Sequence, residues 1–162
     1  MARFRVNVKI KQPIDMVVQA YIKPENIPFW MNNIEKFEVI KGEAGEADSV
    51  AHVHYNEHGK KYIMEDKLEY CEQGKKYVST ISSEALFVRT ETTFFSLKAS
   101  TKMNLVWSGK GKYFILKILL PFIRKRISKL AKNELVKFKY LVEHYGADFT
   151  KMLKKEEEKV TL

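Results

Sequence analysis

Residues 51–68 read AHVHYNEHGKKYIMEDKL, with His58-Gly59 at the pivot. Tight hairpins favour central residues that accept positive φ, and a two-residue turn at this point pairs Glu57 with Lys60 and Tyr55 with Tyr62. Side chains alternate across a strand, so Ala51, Val53 and Tyr55 share a face with Tyr62, Met64, Asp66 and Leu68. The other face carries His52, His54, Lys61, Glu65, Lys67 and Glu69, and belongs in water. This hairpin sets the register for the strands around it.

Working toward the C-terminus, turns are expected at Gln73-Gly74, near Glu84-Ala85 and at Ala99-Ser100. Carried through them, the register keeps Tyr77, Ser79, Ile81, Ser83 and Val88 on the inner face. Thr90, Thr92, Phe94, Met103, Leu105 and Trp107 follow on the same face. A one-residue slip between residues 72 and 100 would exchange Thr90 and Thr92 for Arg89 and Glu91. The inner face is apolar yet carries Asp66, serines, threonines and three tyrosines, more polar groups than a dry core accepts without partners. The pattern is that of a cavity lining.

Toward the N-terminus, residues 3–11 alternate Phe4, Val6, Val8 and Ile10 with polar neighbours, which predicts a half-buried strand. Pro13 suits a helix start, and Ile14, Val17, Val18 and Tyr21 form one helical stripe ending near Lys23-Pro24. Pro28 before Phe29-Trp30-Met31 predicts a second brief helix. Beyond Trp107, Gly109-Lys110-Gly111 breaks the strand pattern, and a long helix is expected from about Pro121 to Tyr145, ended by Gly146. Leu119, Ile123, Ile127, Leu130, Ala131 and Phe138 fall on its apolar stripe, with Glu134 in the middle. A carboxylate there has to be paired, hydrated in a cavity or neutralised. A bond from Glu134 to a wall lysine or tyrosine hydroxyl would serve only to fix the helix. Residues 147–162 read as a charged, frayed helical tail, leaving 1–146 as a single domain.

Bulk properties agree. The chain has 162 residues, 45% of them hydrophobic, with ten Phe and eight Tyr, enough for one packed core. Cys71 is the lone cysteine, which leaves no disulfide framework. The opening MARFRVNVKI lacks a signal-peptide apolar core, so a cytoplasmic location is expected. The stretch Tyr113 to Ile123 is interrupted by Lys117 and Pro121 and is unsuited to spanning a bilayer. A formal charge of +9 would attract nucleic acid or an anionic membrane, or simply solvate the surface.

The order of strand, two short helices, six strands and long helix resembles the SRPBCC or START-like superfamily, in particular its polyketide cyclase/dehydrase and coenzyme Q-binding, Bet v 1-like members. The likeness rests on QPIDMVVQAYIKPENIPFWMNNIEKFEVIKGEAGEADSV (residues 12–50) and FIRKRISKLAKNELVKFKYLVE (residues 122–143). It implies an α+β helix-grip fold, a curved antiparallel sheet of about seven strands around the C-terminal helix, with a cavity for lipids, quinones, steroids or polyketides. The family's usual glycine before the third strand is Asp48 here, so a different local turn is expected.

On this reading Trp30, Tyr55, Tyr62, Met64, Trp107, Leu119 and Ile123 supply contact area to an apolar ligand. Asp66, Thr92 and Glu134, with Thr90 beside them, orient its polar end. Asp66 and Glu134 are also the candidate acids or bases of a cyclase or dehydratase, since a buried carboxyl is suited to moving a proton. His52, His54 and His58 are close in sequence, but two lie on the wet face and one in a turn, so no metal site is expected. No nucleotide fingerprint is present and no cofactor is implied. Phe87, Phe95 and Arg89 on the outer face are too sparse to predict nucleic-acid binding. Tyr113 to Ile123 followed by Arg124-Lys125-Arg126 either closes the core or rests on an anionic membrane. Nothing in the sequence specifies an oligomeric state.

Overall fold

The computed structural model describes residues 1–161; Leu162, the end of the expected tail, lies outside them. Strands β1 (Ala2–Ile10), β2 (Ile34–Lys41), β3 (Val50–Glu57), β4 (Lys60–Glu72), β5 (Lys76–Ser82), β6 (Leu86–Leu97) and β7 (Ser100–Gly111) form one antiparallel sheet. Their spatial order is β1-β7-β6-β5-β4-β3-β2, so only the β1–β7 pairing joins strands distant in sequence. Helices α1 (Ile14–Ile22) and α2 (Ile27–Trp30), with a 3-10 turn at Pro24–Asn26 between them, connect the two edge strands. Helix α3 (Phe114–Tyr145) packs mainly on β1 and β7, and α4 (Lys151–Val160) follows. This is the helix-grip arrangement expected.

The central hairpin has the register its turn demands, with Glu57 opposite Lys60 and Tyr55 opposite Tyr62. His58 and Gly59 both have positive φ, as such a turn requires. Further along, the β4–β5 connection is one residue longer than expected, since Glu72 faces Lys76. A bulge between Leu68 and Tyr70 absorbs the extra residue. Ser79 therefore still sits opposite Leu68, and Thr90 and Thr92 stay on the inner face opposite Ser79 and Tyr77. The last turn falls at Lys98-Ala99 rather than Ala99-Ser100, because Leu97 faces Ser100. The change moves each pairing by two residues and leaves every side chain on its face.

Asp48 takes φ +67°, the left-handed conformation glycine adopts freely. Aspartate is among the few non-glycine residues that tolerate this conformation.

Two expectations about the C-terminal third are corrected. Gly109-Lys110-Gly111 does not end the strand, since β7 runs to Gly111. Gly109 is small because the Trp107 ring lies across it: a Cβ there would fall 2.1 Å from the ring edge. Helix α3 begins at Phe114, about two turns before Pro121. Proline inside a helix deprives one carbonyl of its partner, and here that carbonyl belongs to exposed Lys117, where water is at hand.

The core joins β1, β6, β7, α1, α2 and the second half of α3 through Ile10, Phe94, Met103, Val17, Trp30, Leu135 and Phe138. It also includes Phe149, fully buried against Phe138 at 5.7 Å between ring centroids. The packed unit thus extends past Gly146, and the solvated tail begins later than the composition suggested. Buried Asn26 fastens this end, donating from Nδ2 to the carbonyls of Ala20 (3.0 Å) and Ala147 (2.8 Å) and accepting the Phe149 amide on Oδ1 (2.9 Å). Among the described residues no helix is long and apolar enough to cross a membrane.

Candidate functional site

The concave face of the sheet and the middle of α3 enclose a cavity of about 650 Å³. Its walls follow from strand alternation: Ala51 and Tyr55 on β3, Tyr62, Met64, Asp66 and Leu68 on β4, Tyr77, Ser79 and Ile81 on β5, Val88, Thr90 and Thr92 on β6, and Met103, Leu105 and Trp107 on β7. Tyr21 and Trp30 come from the short helices, and Ile127, Leu130, Ala131, Glu134 and Leu135 from α3. The structure therefore brings Trp30, Tyr55, Tyr62, Met64, Asp66, Thr90, Thr92, Trp107 and Glu134 together on one cavity.

Leu119 and Ile123 are not among them. Both lie on the outer surface, at 45% and 40% exposure, while Leu120 is the buried residue of that turn at 3%. The inward stripe of α3 runs through Leu120, Ile127, Ala131, Leu135 and Phe138, which places Leu119 nearly a third of a turn off its centre at about 100° per residue. The expected stripe was centred too far to one side because the apolar residues before Pro121 are abundant on both sides of the helix.

The aromatic wall is organised by stacking. Tyr55 lies on Tyr62 with ring centroids 5.0 Å apart and planes 7° from parallel, and Phe4 backs Trp107 at 5.1 Å. The Tyr21 hydroxyl donates to Thr92 Oγ1 at 3.0 Å, and burial pushes its ionisation up to about 12. Burial likewise raises Tyr55, with the neighbouring negative groups of Asp66, Glu134 and Glu57 adding to the effect. The Tyr62 hydroxyl, held by Glu57 Oε1 at 2.8 Å, is raised to about 12 by desolvation first and this contact second. These phenols remain neutral donors throughout the physiological range.

Two of the residues lining the cavity, Asp66 and Glu134, carry carboxyl groups with raised pKa values. Asp66 is raised from 3.8 to about 7 because burial penalises its charge, and the Ser79 hydroxyl only partly offsets this. Glu134 is also raised to about 7, again by burial, against the opposing pull of the Asn32 amide and of Lys137. Asn32 N–H donates to Glu134 Oε1 at 3.2 Å, so Glu134 ties α3 to the backbone after α2 rather than to a lysine or tyrosine. Near neutrality each acid is poised between its two forms.

Tyr21 and the Asn26 clamp were not recognised as part of this region from the sequence. The signal for Tyr21 was its position on the α1 stripe, four residues after Val17, whereas nothing local marks Asn26 as a bridge to residues more than a hundred positions away.

No family model matches the chain, and no curated protein matches it in sequence. Solved structures do resemble it. That of Ara h 8.0201 is 17% identical, with 86% of this chain and 96% of that one covered and a TM-score of 0.68. The Zhui aromatase/cyclase from Streptomyces sp. R1128 is 13% identical, with 88% and 96% covered and a TM-score of 0.69. A START superfamily protein from Mycobacterium smegmatis is 10% identical, with 82% and 95% covered and a TM-score of 0.62. At such identities the likeness is one of fold, the helix-grip arrangement of a curved antiparallel sheet around a long C-terminal helix.

Proposed function

We propose that the protein binds and carries an apolar small molecule, of lipid, quinone or polyketide-like character, in the cavity between sheet and α3. One observation carries this reading: about 650 Å³ of space lies between elements whose other contacts are close-packed, and its lining is mostly aliphatic and aromatic with a few convergent polar groups. Native interiors leave few voids larger than a water molecule, so a space of this size is maintained for an occupant. Nile red is expected to enter it and brighten. Thr90→Trp, which projects an indole from the β6 wall into the space, should weaken uptake by about ten-fold or more while far-ultraviolet circular dichroism stays unchanged. Equal uptake by this variant would refute the proposal. The same two acids also suit a cyclase or dehydratase acting on a polyketide-like substrate in the cavity; turnover abolished by Asp66→Asn or Glu134→Gln, with binding retained, would identify that activity instead.

A second reading concerns where the ligand is collected. Phe114, Ile115, Ile118, Leu119 and Phe122 occupy one side of the first turns of α3 at i, i+1, i+4, i+5 and i+8, with Phe114 76% and Phe122 80% exposed. No acidic residue occurs between Glu91 and Glu134, whereas Lys110, Lys112, Lys117 and Arg124 to Arg126 adjoin this face in sequence. Exposed aromatics in a stretch that carries only basic charge suit the interface of an anionic bilayer. Ile127 and Leu130, on the next turns of α3, already line the cavity, so the docked face adjoins its helix side. The protein is expected to sediment with phosphatidylglycerol-containing vesicles and to be released by salt, and Phe114→Asp with Phe122→Asp should abolish sedimentation. Buried Leu120 is unsuited to this test because its replacement would disturb the core. Absence of sedimentation at low salt would rule out the membrane reading and leave the cavity proposal intact.

A further inference from the structure

Among the described residues lining the cavity there is no lysine, arginine or histidine, although the chain as a whole carries a net charge of +9. Glu57, Asp66 and Glu134 all line the same space. Glu57 is occupied by the Tyr62 hydroxyl and Glu134 by the Asn32 amide with the Lys137 charge acting on it, whereas Asp66 has only the neutral Ser79 hydroxyl in place of a counter-ion. A buried acid without a cation is costly to ionise, and a cation supplied from outside removes that cost.

The walls contribute a second, independent feature. Tyr21, Trp30, Tyr55, Tyr62, Tyr77 and Trp107 all line the space. Aromatic faces attract cations through the ring quadrupole, most strongly where water is excluded.

Taking the cavity as the binding site, we infer that its ligand is an apolar organic cation, an amine or quaternary ammonium compound, and that carboxylate, phosphate and sulfonate ligands are rejected. The acids receive the cationic end and the aromatic rings surround it. The selectivity runs against the overall charge of the protein, which by itself would favour anions.

Three probes that share one aromatic body and one ether oxygen separate these effects: methoxytryptamine, methoxytryptophol and methoxyindole acetate, each measured by displacement of Nile red at neutral pH. The amine should bind about ten-fold or more tighter than the acid, with the alcohol between them, as expected for one favourable against one unfavourable buried charge contact. In the double variant Asp66→Asn, Glu134→Gln, the amine and acid should come within about three-fold of one another, with alcohol binding retained as the sign that the pocket is intact. Tighter binding of the acid, equal binding of the two, or an amine preference that survives in the double variant each overturns the inference. If Nile red itself does not bind, the cavity proposal fails and this inference fails with it, an outcome distinct from Nile red binding without amine selectivity.

Discussion

Phe138→Ala is expected to lower folding stability by about 3–5 kcal/mol, the range found when a fully buried phenylalanine is truncated in a close-packed interior. Phe138 has no solvent exposure, and three aromatic rings meet it: Trp30 at 5.0 Å, Phe149 at 5.7 Å and Tyr21 at 6.3 Å between centroids. Those partners come from α2, from the segment after α3 and from α1, so collapse into the void would require three separate elements to move together. For a chain of this length the melting temperature should fall by about 10 °C. The loss should extend to function, because Tyr21 and Trp30 stand between Phe138 and the cavity, and without that backing Nile red affinity should drop as well. Thermal or urea unfolding measures the first effect. A change under about 1 kcal/mol would show that the site repacks and that this cluster does not anchor the helices.

Asn26→Asp should be about as damaging, at roughly 3–5 kcal/mol at neutral pH. The substitution keeps the acceptor for the Phe149 amide but removes the Nδ2 donor that two carbonyls share, and sets a carboxylate against them with no solvent exposure. Such a group resists ionisation in the folded state, so its folded pKa rises above its unfolded value. Its contribution is then least harmful below the unfolded pKa near 4, and stability is lost as pH climbs through the raised folded value. Relative to the parent chain, the deficit should therefore shrink under mildly acidic conditions, where the protonated acid donates to one of the two carbonyls. A deficit independent of pH would mean that the damage lies elsewhere than in this clamp.

Much of the site was legible in the sequence for a simple reason. Alternation in a strand is a two-fold code, and a glycine turn such as His58-Gly59 sets its phase, so Tyr55, Tyr62, Met64, Asp66, Thr92 and Trp107 could all be assigned to one face. The bulge after Leu68 was not legible, and the face was kept only because it cancelled the extra residue in the neighbouring turn. Helical phase is weaker information. Residues 113–123 are apolar on nearly every side, so periodicity alone did not distinguish buried Leu120 from exposed Leu119 and Ile123. Pro121 reads locally as a helix start, whereas the chain turns into α3 seven residues earlier, at Phe114, packing Leu116 so close to Gly111 that a Cβ there would fall 2.5 Å from it. Asn26 and Phe149 depend on a tertiary contact that no local pattern encodes.

The pairing of β1 with β7 has a consequence for synthesis. Arg3 to Ile10 align with Ser108 to Thr101, so the first strand made finds its partner only after roughly ninety further residues have been translated, about 5–20 s at ordinary elongation rates. The hairpins from β2 to β7 join neighbours in the chain and can zip up as they leave the ribosome. Val6, Val8 and Ile10 meanwhile travel uncovered on a nascent chain, and their burial is complete only when α3, which packs on β1 after β7, has been made as well.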